Sequence, residues 1–468
     1  MTSIPGSVAL PRSAWLALLA LTAVGCGADE TTQSAASSDH HTELSCTATA
    51  ATEGHPRAYF APFDPVEFET LCVLDLAEQE VLVAHYNIRR QSYLDKLVEL
   101  AGRGVDVKVA VDKANAAKDY NLGDDFLEQQ GIDIVRVRPA GSRSLMHLKV
   151  TVVDGKWAMT GSFNWNGTAA LANDENMIVV RDPAVVDHYR RQVLEVRGDE
   201  PHVVEGGPMT ADMALHFSPE ERLDDVLVHH IDQAVSTVDV AMFTFTREPV
   251  LNALLAAMNR QVQVRVVMER KQTTITSVDE QLSQAGATVV RGANTIGAYS
   301  AMHQKYAILD GSKVITGATN WTTNGTRYSD EDLLIVTVPE VTEAYQRNFA
   351  DLLWVYGELD DPAVPQPNEA GVLFNAIHGT TEWGDRIVVT GSHPALGSWD
   401  PWRGIELDTS TSLFPSWTGR TRLPAGTGLE YKYVTIRPDG HLDWEPGPNR
   451  WLQIPENGRA AVISGPLG

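Results

Sequence analysis

The chain has 468 residues, 43% of them hydrophobic and 21% charged, and its 37 Lys+Arg against 61 Asp+Glu give a net charge of −24. At roughly 100–200 residues per domain, this length provides two to four domains, and the near-average apolar usage excludes a wholly disordered or collagen-like chain. The acidic balance disfavours non-specific coating of nucleic acid, which requires surplus Lys and Arg, while leaving room for a locally basic cleft.

Residues 1–26 read as a signal segment. Arg12 precedes an apolar stretch over 14–24, too short for the ~20 residues of a permanent membrane span. The run Ala23-Val24-Gly25-Cys26 resembles a bacterial lipobox, which implies lipidation of Cys26 and a membrane anchor at the cell envelope; ordinary cleavage and secretion is the alternative. Residues 27–55, rich in Ser, Thr, Ala and Asp, read as a flexible tether. Export permits a disulfide between Cys46 and Cys72, two free thiols being the other option, and neither has metal-ligand spacing.

An internal duplication follows, with halves at 56–204 and 205–360. Tyr59-Phe60-Ala61-Pro62 recurs as His216-Phe217-Ser218-Pro219, and segments 81–84, 94–100 and 105–109 recur as 238–241, 250–256 and 262–266. Each copy predicts strand, helix, strand, then a second helix (126–130; 278–285) and strand (132–135; 288–290), the alternation of parallel strands with crossover helices. Then come His147, Lys149, Asp154, Gly161 and Asn164 in the first copy and His303, Lys305, Asp310, Gly317 and Asn320 in the second, at identical spacings; Glu175 and Glu331 follow at one further shared spacing. On a strand, residues i and i+2 share a face, so each His projects with its Lys. Two such strands in one pocket suit a phosphodiester: a neutral imidazole attacks phosphorus and a protonated one serves the leaving alkoxide. The lysines and Asn amides neutralise the non-bridging oxygens. This chemistry calls for no metal and no cofactor. Asp154 and Asp310 each precede a Gly, so they are read either as catalytic or as turn caps.

These residues resemble the paired HKD motifs of the phospholipase D superfamily, over roughly residues 56–360. The resemblance implies two mixed-sheet α/β halves with pseudo-twofold packing and a phosphohistidine intermediate. It implies His147 as nucleophile, His303 as general acid, Lys149, Lys305, Asn164 and Asn320 as phosphate holders, and Glu175 and Glu331 as groups that orient imidazoles. One departure stands out: the Ser that follows Gly in the family is Ser162 in the first copy but Ala318 in the second. Arg136, Arg138, Arg143, Arg270 and Lys271 are candidates for a cationic rim, with scattered strand-edge charge as the alternative.

Residues 361–370 are Pro-rich and polar, an extended linker. Beyond them, short β-branched runs separated by Gly, Pro, Asn and Asp predict an all-β, immunoglobulin-like sandwich over 371–468. Five of the 11 Trp fall between 383 and 444, more than one small core requires, and exposed indoles suit sugar faces. Segments 391–400, 430–433 and 444–450 resemble the starch-binding carbohydrate-binding modules (family 20). That resemblance implies glucan stacking on Trp399 and Trp444, hydrogen bonds from Lys432 and Asn449, and a second-site aromatic at Trp383. The expectation is therefore an exported phosphodiesterase acting on phospholipid or a similar diester and targeted to starch or a related α-glucan. A nuclease of the same superfamily and an inactive glucan-binding surface protein are the alternatives, and nucleic acid is the less favoured substrate.

Overall fold

The computed structural model describes residues 56–141, 143–200, 205–364, 368–378, 381–382 and 384–467. Cys26, Cys46, the tether and Trp383 lie outside the described residues. Cys72, buried in the helix Val66–Asp75, is disulfide-bonded, and its partner also lies outside them.

The first half is a mixed sheet of strands β1 (Arg57–Ala61), β2 (Glu80–His85), β3 (Asp106–Asp112), β4 (Asp133–Val137), β5 (Lys149–Val153), β6 (Trp157–Gly161) and β7 (Glu175–Val180), in the order β1-β7-β6-β5-β2-β3-β4. Only β2, β3 and β4 run parallel, where crossover helices intervene; β5 and β6 connect by a short turn, β6 and β7 through a segment with the helix Gly167–Leu171, and both pairs are antiparallel. The second half repeats this with β8 (Gly207–Pro208), β9 (Met213–Ser218), β10 (Thr237–Met242), β11 (Gln263–Glu269), β12 (Thr288–Gly292), β13 (Lys305–Leu309), β14 (Lys313–Thr316) and β15 (Glu331–Val336), in the order β12-β11-β10-β13-β14-β15-β9-β8.

Strand β2 is buried along nearly its whole length because both faces are covered, which explains its continuous apolar run. Val81 and Val83 pack outward with Leu94 and Leu97 of the helix Gln91–Gly102. Leu82 points the other way, into a core shared by both halves that includes Val150 and Val152 from one sheet and Tyr306 and Ile308 from the other. Tyr189 and Tyr345 of the helices Pro183–Arg197 and Pro339–Gly357 complete it. This shared layer fixes the two sheets against each other.

The C-terminal sandwich contains β16 (Glu369–Ile377), β17 (Arg386–Gly391), β18 (Ile405–Leu407), β19 (Ser416–Pro424), β20 (Gly428–Ile436), β21 (Leu442–Trp444), β22 (Arg450–Gln453) and β23 (Ala461–Pro466). One sheet is β19-β16-β23; the other is β18-β17-β20 with β21 and β22 both on β20. The segment expected as an extended linker is pinned at its start. The buried Arg459 guanidinium donates to the carbonyls of Asp361 (2.6 Å) and Val364 (2.9 Å), and Arg265 pairs with the Asp361 carboxylate. The sandwich is accordingly docked: Leu373 and Leu413 join the outer core of the first half, and the Arg420 guanidinium donates to the carbonyls of Asp64 (2.7 Å) and Ala170 (2.9 Å).

Candidate active site

Each motif strand lies antiparallel to the first parallel strand of its half, pairing Lys149 with His85 and Lys305 with Met242. The histidines sit just before these strands, on backbone that crosses to the other half. His147 N–H donates to the Asp330 carbonyl and His303 N–H to the Asp174 carbonyl, both at 3.0 Å, flanked by the bridges Met146–Asp330 and Asp174–Met302. Each lead-in is also held from its own sheet, where the Asp112 carboxylate accepts the Met146 N–H (3.0 Å) and the Glu269 carboxylate the Met302 N–H (2.7 Å).

This crossing brings each imidazole to the opposite half's glutamate. His147 Nδ1 is 2.9 Å from Glu331 Oε2, and His303 Nδ1 is 2.8 Å from Glu175 Oε2. A carboxylate on Nδ1 holds the proton there and leaves Nε2 as the reactive nitrogen. Lys149 and Lys305 each donate to the carbonyl of the preceding His at 2.7 Å, and the Lys305 ammonium lies 3.1 and 3.2 Å from the two ring nitrogens of His303. Tyr86 packs edge-on against His147 and Phe243 lies tilted against His303, with ring centroids 5.0 and 4.5 Å apart, so that each imidazole has an aromatic neighbour.

The site is nearly dry, and that sets its electrostatics. Burial pushes the Lys149 ammonium down to about 8 and the Lys305 ammonium down to about 7, with Glu331 and Glu175 opposing. Burial first, then Lys149, Lys305 and His303, hold His147 well below the ordinary imidazole value. His303 is also lowered by burial, but Glu175 beside it pulls the other way. Burial pushes Glu331 upward, while Lys149 and Lys305 favour the charged carboxylate that faces His147 Nδ1. Asn164 and Asn320 place buried side-chain carbonyl oxygens with no hydrogen-bond partner among the described residues, an unmet polar capacity in both halves.

Two sequence-based assignments are corrected. Asp154 and Asp310 are not at the site. Both sit in left-handed turns (φ 52° and 51°) at the far end of their strands. Asp154 accepts backbone N–H groups of Glu78, Gln79 and Glu80 at 2.8–3.2 Å, and Asp310 those of Val235, Ser236 and Thr237 at 2.7–3.1 Å. They clamp the chain entering β2 and β10. Sequence reasoning missed Asp174, Asp330, Tyr86 and Phe243; the first two directly precede Glu175 and Glu331 at matching repeat positions, a signal that was available.

On the sandwich, Trp444 is 40% exposed at the end of β21 and Trp399 is half-buried. Lys432 donates to the carbonyls of Glu445 (2.9 Å) and Gly447 (2.7 Å), holding the loop after Trp444, and Asn449 donates to Glu430 (3.0 Å). Trp417 packs on the core with its indole N–H on the His378 carbonyl (3.2 Å). Trp451, 65% exposed, and Trp402 are further exposed indoles.

The chain matches the family model of the cardiolipin synthase, PLD-like domain over residues 71–196 and 227–354, more than half its length, and that of the starch binding domain over 369–464. It is 34% identical over 140 residues to a mitochondrial cardiolipin hydrolase of Danio rerio, covering 29% of this chain and 58% of that one. It is 39% identical over 93 residues to an alpha-amylase of Streptomyces violaceus, covering 20% of this chain and 16% of that one, so it spans less than two thirds of either relative. The phosphatidylserine synthase of Haemophilus influenzae shares the fold, with a TM-score of 0.51 at 13% identity over 64% of this chain and 89% of that one. One model matched twice, each match closing around a single His/Lys pair, means that this chain belongs to the phospholipase D-like family and carries a starch-binding domain at its C-terminus.

Proposed function

We propose that the protein is an exported phosphodiesterase that hydrolyses phospholipid-type diesters through a phosphohistidine, is held at the cell envelope through Cys26, and is directed to α-glucan by its sandwich. The crossed imidazole–carboxylate pairs, His147–Glu331 and His303–Glu175, carry the chemical part of this reading.

His147 has the environment of a nucleophile, held neutral first by burial and then by Lys149, Lys305 and His303, with its Nδ1 on Glu331. It attacks phosphorus as the bond to the leaving alkoxide breaks, and His303, protonated, gives that alkoxide its proton. The arriving diester anion offsets the repulsion between the buried cations, which favours protonated His303 and charged Lys149 and Lys305 while substrate is bound. Asn164, Asn320 and the lysines hold the non-bridging oxygens as charge builds. Neutral His303 then takes a proton from water, the hydroxide attacks phosphorus, the N–P bond breaks, and a phosphomonoester leaves with both histidines restored.

The named activity of the Danio rerio relative supports a lipid diester, and the Cys72 disulfide is in keeping with an oxidising compartment. Incubating the protein with phosphatidylethanolamine and cardiolipin vesicles beside single-stranded DNA tests it: head-group or phosphatidate release is expected, and cleavage of DNA alone would overturn the lipid reading in favour of a nuclease. Labelling of Cys26 by a radioactive fatty acid during expression tests the anchor.

A further inference from the structure

We infer that the loops around the site form a membrane-docking rim that seats the cleft on an anionic phospholipid surface; this rests on the reading of the substrate as a phospholipid. Five of the segments that leave or enter the sheets at the edge carrying the two His/Lys pairs form this rim. Segments 113–122 and 270–277 follow β3 and β11, segments 138–146 and 293–302 lead into His147 and His303, and 323–329 leads into Glu331. They are tied together: Ser329 accepts the Leu145 N–H (3.1 Å), and Lys271 donates to the carbonyls of Ala298 and Ser300 (3.2 and 3.1 Å).

These segments carry Tyr120, Leu122, Ile275, Tyr299 and Tyr328, each at least half exposed. In the two halves, the other large hydrophobic side chains exposed among the described residues are Val235, beside the Asp310 turn at the opposite end of β10, and Leu359, at the end of the second half. Exposed apolar groups thus gather at the mouth, where a soluble protein would ordinarily avoid them.

Charge gathers there too. In a chain of net −24, these segments contain one acidic residue, Asp119, against Lys113, Lys118, Arg138, Arg143, Arg270, Lys271 and Arg327, the last engaged by Asp224. Arg136, a sequence candidate for this rim, is excluded because Asp124, Asp125 and Glu128 engage it. Aliphatic tips beside tyrosines and flexible cations match the interfacial region of an anionic bilayer, where Leu and Ile enter the acyl boundary, phenols sit at head-group depth and Lys and Arg meet phosphates. A nucleic acid would use the cations but gives Leu122 and Ile275 no partner.

The test uses the full chain carrying Cys26→Ser, so that no acyl group contributes, with phosphatidylcholine vesicles containing or lacking phosphatidylglycerol. Leu122→Ser/Ile275→Ser/Tyr299→Ser should weaken sedimentation with anionic vesicles by about ten-fold or more, and Lys118→Gln/Arg143→Gln/Arg270→Gln should remove the preference for phosphatidylglycerol. Both should hydrolyse soluble bis(p-nitrophenyl) phosphate within about two-fold of the parent, since neither alters the catalytic groups. Vesicle binding unchanged by the first variant, or parent protein that binds single-stranded DNA but not vesicles, overturns the rim. Rim-dependent binding without hydrolysis of either lipid or the soluble diester supports the rim and refutes the enzymatic reading.

Discussion

The two α/β halves present the same His, Lys, Asn and Glu, yet the supports behind them differ. In the first half Asn176 sits behind Ser162, whose hydroxyl accepts the Asn176 N–H at 2.9 Å. The Asn176 amide donates to Gln304 (2.7 Å), and its oxygen accepts from Thr316 (2.9 Å) and Tyr345 (3.1 Å). In the second half the matching residue is Asp332: one oxygen accepts the Ala318 N–H (2.9 Å), the other Thr160 (2.7 Å) and Tyr189 (2.9 Å). The Ser162 hydroxyl, which Ala318 lacks, accepts the N–H of residue 176, whereas the Asp332 carboxylate accepts the N–H of residue 318. The His, Lys, Asn and Glu of the two motifs are alike, while the buried supports differ, each with its own donor–acceptor set. The divergence also makes the halves electrostatically unequal: Asp332, where the first half has the neutral Asn176, adds to the upward push of burial on Glu331, the partner of His147. Glu175, the partner of His303, accepts instead from Asn173 at 3.0 Å.

The sharpest way to break this comparison is to remove each histidine in turn. His147→Asn should lower diester turnover by about 10⁴-fold or more and give no covalent intermediate. His303→Asn should still accumulate labelled phosphohistidine from a p-nitrophenyl diester, whose leaving group needs no proton; label trapped only in the His147 variant would reverse the assignment. Next in size, Glu331→Gln and Glu175→Gln should each lower turnover by about 10–100-fold by freeing an imidazole's tautomer and orientation. Because Lys305 and Lys149 titrate at about 7 and about 8, the positive charge that attracts a diester is present below this range and lost above it. kcat/KM should therefore fall as pH rises through 7 to 8, and Lys305→Arg should move that limb upward; a profile flat to pH 9 contradicts the buried-lysine environment.

Stability changes are smaller. Asp332→Asn places an amide against donors and should cost about 1–3 kcal/mol in thermal or denaturant unfolding. Adding Ala318→Ser, which recreates the pairing of the first half, should recover part of that loss, and strict additivity would show that the two positions are uncoupled. Asp154→Asn should cost about 2 kcal/mol while leaving turnover of the remaining folded protein nearly intact, since the carboxylate holds backbone rather than substrate. On the sandwich, Trp399→Ala/Trp444→Ala should abolish retention on insoluble starch, and Trp451→Ala should weaken it less.

Much of the site was legible because the chain says it twice. His147 and Lys149, repeated as His303 and Lys305, define the chemistry by residue type and spacing, and the repeat itself predicts a pocket between halves. Asp154 and Asp310 stayed open between a catalytic and a turn-cap role because a turn-holding carboxylate and a catalytic one look alike in a motif; their backbone partners lie in the segment before β2 and β10, far away in sequence. The anchoring of the linker's start was not legible for a related reason: nothing in residues 361–370 announces that Arg459, near the C-terminus, will take the Asp361 and Val364 carbonyls.

The sequence by itself determined the duplicated α/β body, the β-sandwich behind it and the residue types at both candidate sites, because those rest on local periodicity and repeated spacing. Only the tertiary structure decided that each glutamate serves the other half's histidine, that burial brings both lysines near neutrality, and that the sandwich is docked. Those outcomes depend on which surfaces meet and exclude water, and desolvation is a property of packed neighbours that no single segment carries.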